Sequence, residues 1–421
     1  MDKKVSKING LKGSIIIPAD KSISHRAVMF SSLAKGKSVI KNFSNGQDPL
    51  STLKLFQKLG VNAQYKDSDL IIDSTGKLSS PNDVLDCGNS GTTMRLVSGI
   101  LAGQNFNSVL TGDESLSKRP MKRIIEPLTL MGAKIESNDY KSPLKIYGTN
   151  LQGIDYTSKI ASAQVKSSIL LAGLFADGET SVTEPYLSRN HTELMLSFMG
   201  ANIKSDGLKT TVKKSVLEPK TIEIVGDISS AAFFIVAALI VPNSEIIIKN
   251  VGLNPTRTGI IDVVKMMGGN IEILDKRTVS NELVGDIKVS YSNLKACKIS
   301  GDIIPKIIDE IPVIAVLATQ ADGTTVITGA EDLRNKESDR LSAISNELKK
   351  LGANIEETSD GLIINGKVKL NGGCEIETYH DHRIAMSMYI AGLICEKEIL
   401  IKDFDWVNIS FPEFENLFAI L

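Results

Sequence analysis

Apolar and polar positions along the chain follow a pattern that recurs about every 70 residues. Each repeat opens with a strongly apolar segment of helical length, continues into a short strand-like run, and then gives an amphipathic helix and further strand-like residues. The apolar helices are predicted to begin at Ser22, Gly91, Ala163, Ser229, Glu310 and Arg383. A period of this length indicates a chain built from six related helix-and-strand units.

A short phrase with a central glycine follows five of the amphipathic helices. These glycines are Gly60, Gly132, Gly200, Gly268 and Gly352. Because glycine readily adopts a left-handed backbone, we interpret them as helix C-caps. The sixth repeat reaches Leu421 without its final strands, and we predict that the N-terminal strand around Ile15 supplies what is missing.

The repeats predict an α/β (α+β) fold with two similar lobes of three repeats each. One lobe would combine residues 1–18 with 227–421, and the other would span residues 19–226. A length of 421 residues is too great for one ordinary hydrophobic core, which also favours at least two domains. We expect the active site to lie in the cleft between the lobes.

Composition and charge exclude several classes of protein. A net charge of −1 excludes a generally basic nucleic-acid coat, and the apolar runs near 231–241 and 311–318 are too short to span a bilayer. The four cysteines have no CxxC spacing, which is typical of a reduced cytoplasmic protein. No GxxxxGK[ST] loop is present, and the four histidines lack a familiar metal-ligand spacing. We therefore expect a cytoplasmic protein without nucleic-acid or membrane partners.

Basic residues accumulate at the predicted helix starts, where the helix dipole favours acids. Such residues occur in five of the repeats: Lys21, Arg119, Arg189, Lys336 and Arg383. Free backbone N–H groups at helix starts and guanidinium groups both bind phosphate and carboxylate. The pattern predicts a small polyanionic ligand with two or more phosphate or carboxylate groups.

Two acids lie among these cations. Asp309 precedes an apolar helix, and Glu337 stands between Lys336 and Arg340. Carboxylates in a basic cleft accept or donate protons in catalysis, or they simply neutralise their neighbours. Catalysis is favoured for Asp309, and both interpretations stay open for Glu337.

Two other kinds of reactive side chain are interpreted as structural. His25 and His191 follow helix starts and are expected to make structural hydrogen bonds. Cys87 adjoins the turn at residues 88–92, and a buried, unreactive thiol is favoured over a reactive one.

The motifs, in order, resemble those of the 5-enolpyruvylshikimate-3-phosphate synthase family over nearly the full length. The matching segments are DKSISHRA (20–27), GNSGT (88–92), RPM (119–121), SAQVKS (162–167), DE (309–310), KESDR (336–340) and DHRIAM (381–386). The resemblance implies two lobes of three repeats, an inside-out α/β barrel arrangement, closing around the substrates. It also implies addition–elimination that joins phosphoenolpyruvate to the 5-hydroxyl of shikimate 3-phosphate and releases phosphate, in aromatic amino acid biosynthesis, without a metal or organic cofactor.

The resemblance assigns roles residue by residue. It implies that shikimate 3-phosphate is bound by Lys21, Ser22, Arg26, Ser162, Gln164, Ser188, Arg189, Asp309 and Lys336. It implies that phosphoenolpyruvate is bound by Lys21, Gly91, Arg119, Gln164, Arg340 and Arg383. Asp309 would take the hydroxyl proton, Glu337 would donate a proton, and Lys21 would contact both substrates.

Three positions depart from the family's pattern. Ala19 stands where a glycine is usual, Ala163 where some members have serine, and Ile409 where some carry a lysine that binds phosphoenolpyruvate. Gly91 leaves room beside the expected phosphoenolpyruvate site, which predicts sensitivity to glyphosate.

The sequence leaves two alternative functions open. A sister enolpyruvyl transferase acts on UDP-N-acetylglucosamine, but it usually has asparagine where Ser22 stands and a loop cysteine where this chain has LSKR (116–119). A non-catalytic anion-binding protein would be expected to lack Asp309 or Glu337, and both are present. A monomer is expected.

Overall fold

The computed structural model describes all 421 residues, which fold as two compact units. The split unit comprises residues 1–18, 225–278 and 283–421. The inserted unit comprises residues 19–224 and the hairpin tip at 279–282. Each unit therefore has a core of its own, and the split unit is closed by the chain's first residues.

The chain begins with two strands of the split unit. These are β1 (Lys3–Val5) and β2 (Lys12–Ile16).

The inserted unit follows. Its helices are α1 (Lys21–Leu33), α2 (Gln47–Lys58), α3 (Gly91–Ala102), α4 (Glu114–Lys118), α5 (Lys122–Leu130), α6 (Ala163–Gly173) and α7 (His191–Phe198). Its strands are β3 (Lys35–Lys41), β4 (Asn62–Lys66), β5 (Asp69–Thr75), β6 (Leu85–Asp86), β7 (Ser108–Thr111), β8 (Lys134–Asn138), β9 (Lys141–Tyr147), β10 (Asp155–Thr157), β11 (Glu179–Thr183), β12 (Ile203–Asp206), β13 (Lys209–Lys213) and β14 (Thr221–Glu223).

The rest of the split unit completes the chain. Its helices are α8 (Ile228–Ile240), α9 (Gly259–Met266), α10 (Ile304–Ile307), α11 (Ile311–Thr319), α12 (Arg340–Lys350), α13 (His382–Gly392) and α14 (Phe414–Phe418), with 3-10 turns at Gly301–Ile303, Glu331–Asn335 and Phe404–Ile409. Its strands are β15 (Glu245–Gly252), β16 (Asn270–Val279), β17 (Glu282–Ser290), β18 (Lys298–Ile299), β19 (Thr324–Ile327), β20 (Asn354–Glu357), β21 (Leu362–Asn365), β22 (Glu375–Ile376) and β23 (Ile399–Ile401).

The strands form six small mixed sheets, three in each unit. The inserted unit has the orders β14-β3-β5-β4, β6-β7-β9-β8 and β10-β11-β13-β12, and the split unit has β16-β17-β15-β2, β18-β19-β21-β20 and β1-β23-β22. The predicted α/β (α+β) class is confirmed. The six predicted apolar helices begin within one residue of the positions expected from the sequence.

The prediction for the N-terminal strand around Ile15 is wrong. That strand, β2, pairs in parallel with β15, placing Ile15 opposite Ile248. The sixth sheet is completed instead by β1, which runs antiparallel to β23 with Lys3 opposite Ile401. Two strands have exchanged sheets. The strand before α8, β14, pairs with β3 in the inserted unit, whereas the strand before α1, β2, pairs with β15 in the split unit.

The glycines of the recurring phrase end their helices as predicted. Gly60, Gly132, Gly200, Gly268 and Gly352 all have positive φ, between 73° and 94°. A left-handed residue at this place releases the chain from the helix toward the following strand. The five phrases are therefore one turn design used five times.

Apolar helices fill the centre of each unit. In the split unit, α8 and α11 are buried on nearly every side, and both pack against α13. In the inserted unit, α3 packs against α1 and α6. Helices that are apolar all round must be covered from every direction, so only their ends reach polar surroundings. No helix is both long and apolar enough to cross a membrane.

The pairing of β1 predicts a local stability effect. Val5 is buried and lies against Gly392 of α13, where an added Cβ would come within 2.8 Å of its Cγ1. Val5→Ala should lower the free energy of unfolding by about 2 kcal/mol, because it removes buried methyl groups and leaves a cavity. Lys4→Ala, on the exposed face of the same strand, is the matched control and should change it little. Equal losses in urea unfolding of the two variants would contradict this placement of β1.

Candidate active site

The first helix of the inserted unit begins with a paired lysine. Asp20 caps α1 by accepting a hydrogen bond from the Ile23 N–H at 2.8 Å. Lys21 then donates from Nζ to Asp48 Oδ2 at 3.0 Å. Asp48 lies in the first turn of α2, where an acid is favoured, and it offsets the unfavourable position of Lys21 on α1. Ala19 lies outside the left-handed region, so its backbone does not require the glycine usual in the family.

Arg26 joins three helices of the inserted unit. Its Nε donates to Thr192 Oγ1 at 2.7 Å, Nη2 to Ser167 Oγ at 3.0 Å, and Nη1 to the carbonyl of Ser22 at 2.9 Å. The side chain is buried, with 3% of its surface exposed. Arg26 thus fixes the start of α1 against α6 and α7.

A second group of polar side chains surrounds the start of α3. Ser90 caps this helix by accepting from the Thr93 N–H at 3.1 Å. Arg95 Nη1 donates to Gln164 Oε1 at 2.8 Å, and Gln164 Nε2 donates to Thr92 Oγ1 at 3.0 Å. The structure therefore brings Gln164 of α6 to the first turns of α3.

Gly91 and Arg119 belong to the same group. Arg119 Nη2 donates to Asn89 Oδ1 at 3.0 Å. A Cβ built on Gly91 would lie 2.7 Å from Arg95 Nη1 and 3.4 Å from Arg119 Nη1. The sequence interpretation missed Arg95, although its place one turn after Gly91 on the same helix face was a usable signal.

Ser162, Ser188 and Arg189 occupy the α6–α7 side of the inserted unit. Ser162 is the N-cap of α6, and its Oγ accepts from the Val165 N–H at 3.5 Å. Ser188 is buried and Arg189 half-buried, in the loop that leads to α7. The sequence interpretation also missed Lys166, which is buried between Glu184 and Glu193.

In the split unit, Arg340 is the first residue of α12 and is surrounded by three carboxylates. Its Nε lies 2.8 Å from Asp381 Oδ2, Nη1 lies 3.2 Å from Asp309 Oδ1, and Nη2 lies 2.6 Å from Glu337 Oε2. Burial alone would lower the pKa of Arg340, but the three acids outweigh it and the pKa is raised. Burial alone would raise the pKa of Asp381, but the attraction of Arg340 outweighs burial, so the pKa of Asp381 is lowered.

Asp309 has further cationic neighbours. Lys336 Nζ lies 3.5 Å from Asp309 Oδ1, and Arg383 Nη1 donates to the Asp309 carbonyl at 3.0 Å. The side chain of Asp309 retains 14% of its exposure, against 2% for Arg340. One cluster of the split unit therefore gathers the predicted residues Asp309, Lys336, Glu337, Arg340 and Arg383.

A buried network that the sequence did not reveal supports this cluster. Asp227 caps α8 and accepts from Arg257 Nη2 at 3.1 Å. Arg257 Nη2 also donates to Ser229 Oγ at 2.6 Å, and Ser229 in turn donates to Glu310. Glu310 lies 3.7 Å from Arg383. The two side chains of each pair are at least 28 positions apart in the chain, so no local spacing in the sequence reveals the network.

His25, His191 and Cys87 are buried. His25 Nδ1 lies 2.6 Å from Thr52 Oγ1, and burial, followed by Lys21 and Arg26, lowers its pKa. His191 Nδ1 lies 2.6 Å from Glu282 Oε1 within the inserted unit. Burial raises the pKa of the Cys87 thiol, which keeps it in the unreactive form.

Comparison with known proteins identifies the family. The family model for EPSP synthase (3-phosphoshikimate 1-carboxyvinyltransferase) matches residues 5–418. The chain belongs to the EPSP synthase family. The relatives named 3-phosphoshikimate 1-carboxyvinyltransferase include one from Bacillus licheniformis, 52% identical over 98% of this chain and 97% of its own, and one from Thermoanaerobacter pseudethanolicus, 53% identical over 100% of both.

Solved structures agree with this family. An EPSP synthase from Acinetobacter baumannii is 43% identical and superposes with a TM-score of 0.88 over 100% of this chain and 98% of its own. The enolpyruvyl transferase NikO from Streptomyces tendae is 15% identical, with a TM-score of 0.80 over 99% of this chain and 96% of its own. The second likeness shows that the fold persists where little of the sequence does.

The Arg340 cluster predicts a pH-dependent contribution to stability. Because the pKa of Asp381 is lowered from 3.8, its ionised form stabilises the fold above that value, and the stabilisation is lost as the pH falls through the lower pKa of the folded state. Asp381→Asn should therefore cost about 3 kcal/mol of unfolding free energy at pH 7, with the difference from the parent shrinking below pH 3.8.

Urea unfolding at several pH values measures this difference. Asp405→Asn, which alters an exposed pair with the N-terminal amine, is the control and should have a much smaller effect. A difference for Asp381→Asn that is absent at pH 7, or unchanged on acidification, would contradict the assignment.

Proposed function

We propose that this chain transfers the enolpyruvyl group of phosphoenolpyruvate to the 5-hydroxyl of shikimate 3-phosphate, with release of phosphate. The prediction of an enolpyruvyl transferase of the shikimate pathway is confirmed, because relatives named 3-phosphoshikimate 1-carboxyvinyltransferase are 51–53% identical over nearly the whole chain. The structural observation that carries the mechanism is the placement of Asp309 and Glu337 on one buried guanidinium, that of Arg340.

Two proton transfers are needed in the addition step. The 5-hydroxyl oxygen forms a bond to C2 of phosphoenolpyruvate and loses its proton to Asp309. The methylene carbon, C3, gains a proton from the protonated form of Glu337, which gives a tetrahedral intermediate. Phosphate then leaves C2 and takes up the proton held by Asp309, while a proton from C3 returns to Glu337, which forms the enol ether product. Arg340 holds both carboxylates in fixed positions, which supports transfer over short distances.

The remaining proposed roles are in binding the two substrates. Lys21, Ser22, Arg26, Ser162, Gln164, Ser188, Arg189, Asp309 and Lys336 are proposed to bind shikimate 3-phosphate. Lys21, Gly91, Arg119, Gln164, Arg340 and Arg383 are proposed to bind phosphoenolpyruvate. Support comes from the hydrogen bond that joins Arg95, a neighbour of Gly91, to Gln164. It also comes from the ion pair of Lys336 with Asp309 and from the hydrogen bonds of Arg340 and Arg383 to Asp309. In this proposal both units contribute to one reaction.

The proposed substrates are small molecules. The chain acts as a cytoplasmic monomer, without a metal, an organic cofactor, a nucleic acid or a membrane.

Ile409 lies where some family members carry a lysine that binds phosphoenolpyruvate. Binding of phosphoenolpyruvate therefore depends on the arginines and Lys21.

Phosphate release tests the function directly. The protein should release phosphate from phosphoenolpyruvate with shikimate 3-phosphate and not with UDP-N-acetylglucosamine. Asp309→Ala should still bind shikimate 3-phosphate but lose about 10²–10⁴ in kcat, because the proton acceptor is removed. Asp332→Ala removes an exposed acid 4.0 Å from the same Lys336 and should retain turnover.

Three outcomes would overturn the proposal. Turnover with UDP-N-acetylglucosamine alone would identify the sister activity. Binding without turnover in the parent protein would indicate an anion-binding protein. Full turnover in Asp309→Ala would remove the catalytic assignment.

Gly91 predicts the response to glyphosate. We expect glyphosate, a compact anion that resembles phosphoenolpyruvate, to inhibit in competition with it. Gly91→Ala places a Cβ 2.7 Å from Arg95 Nη1, so the guanidinium must move. The inhibition constant for glyphosate and the KM for phosphoenolpyruvate should rise about tenfold, about 1.4 kcal/mol, while the KM for shikimate 3-phosphate stays unchanged. No inhibition of the parent at millimolar glyphosate and low phosphoenolpyruvate would contradict this prediction.

A further inference from the structure

A buried lysine of the inserted unit has no part in the reaction described above. Lys166 lies in the first turn of α6, with 1% of its side chain exposed. Its Nζ is 2.8 Å from Glu184 Oε2 and 2.7 Å from Glu193 Oε1, and these carboxylates are 2% and 7% exposed. A buried ion group is weak evidence for stability, because desolvation offsets its attraction. Its presence therefore calls for a role in specifying geometry.

The two acids bracket the loop that carries Ser188 and Arg189. Glu184 directly follows β11, and Glu193 lies in the first turn of α7. The backbone N–H of Ser188 donates to Glu184 Oε2 at 3.4 Å, and Lys166 Nζ donates to the Ser188 carbonyl at 3.5 Å. The ion group thus holds both polar groups of the Ser188 backbone, in addition to both ends of the loop.

The neighbouring residues repeat the connection. Ser167, next to Lys166, and Thr192, next to Glu193, are hydrogen-bonded to each other at 2.6 Å and to Arg26. Arg26 and Lys166 therefore both link α6 to α7. Arg26 does so through Ser167 and Thr192, and Lys166, which precedes Ser167, does so through Glu193, which follows Thr192. The junction is fixed by two buried cations, and the loop that leaves it has little freedom at its base.

Lys166 keeps its positive charge near neutral pH. Burial alone would lower the pKa of Lys166, but Glu193 and Glu184 outweigh it, and the pKa is raised. The hydroxyl of Ser188 is buried without a hydrogen-bond partner in the chain. Since a buried hydroxyl is costly to leave unpaired, Ser188 Oγ suits a ligand oxygen.

We propose that Lys166 is a positioning residue for shikimate 3-phosphate. By binding Glu184, Glu193 and the Ser188 carbonyl, it fixes Ser188 and Arg189 relative to the start of α6, where Ser162 and Gln164 lie. This inference rests on the proposed function, because it assigns those four residues to the same substrate. Lys166 itself does not touch the reacting atoms.

Steady-state kinetics of Lys166→Met tests the role. The variant keeps the length of the side chain and loses its charge, so the KM for shikimate 3-phosphate should rise at least tenfold. The KM for phosphoenolpyruvate and kcat at saturating shikimate 3-phosphate should change much less. Lys166→Arg should recover part of the loss, since a guanidinium can bind both carboxylates.

A matched control separates positioning from stability. Leu196→Ala alters a fully buried residue of α7 and should lower the melting temperature while leaving the KM for shikimate 3-phosphate unchanged. If Lys166→Met fails to fold, Glu184→Gln removes one of the two carboxylate charges and should raise the same KM to a smaller extent. An unchanged KM for shikimate 3-phosphate in the variant that folds would overturn the inference. The parent enzyme is assayed first, because its failure to turn over shikimate 3-phosphate would overturn the proposed function instead.

Discussion

A cation removed from water must be paired, and this constraint organises both units. Arg340 in the split unit and Lys166 in the inserted unit are each 2% exposed or less and are held by two or three carboxylates. Arg26 is likewise buried and donates hydrogen bonds to hydroxyls and a carbonyl. Since an unpaired buried charge is far more costly than a paired one, each cation fixes the segments that supply its partners. Apart from Glu184, which directly follows β11, these partners lie close to the starts of helices, where the proposed substrate-binding residues also lie.

Helix caps and buried cations act together in this arrangement. Asp20, Ser90, Ser162, Asp227 and Asp381 each accept a backbone N–H at the start of an apolar helix. Asp381 does so while it also binds Arg340. A capped helix start still presents other N–H groups and a positive dipole end, and a cation added there increases the attraction for anions. The same local device is therefore used in both units, with different side chains.

Much of the fold was predictable from the sequence, because the signals are local. The helix starts follow from apolar runs, and the glycines after the amphipathic helices follow from the conformation that those turns require. The exchange of β2 and β14 was not predictable, because both pairings join strands that are far apart in the chain and follow no local pattern. Sequence order alone assigned the strand around Ile15 to the wrong sheet.

The site shows the same division. Motifs and charges at helix starts pointed to Lys21, Asp309 and Arg340, whereas partners such as Asp48, Glu184 and Arg257 come from distant segments without a local pattern.

Amide hydrogen exchange with and without shikimate 3-phosphate plus glyphosate tests most directly whether capped, cation-bearing helix starts in both units bind the anions. Protection at the first turns of α1, α3 and α6 and also of α12 and α13, with little change at the opposite ends of these helices, is the result we predict. Protection confined to one unit, or located away from the helix starts, would contradict the account.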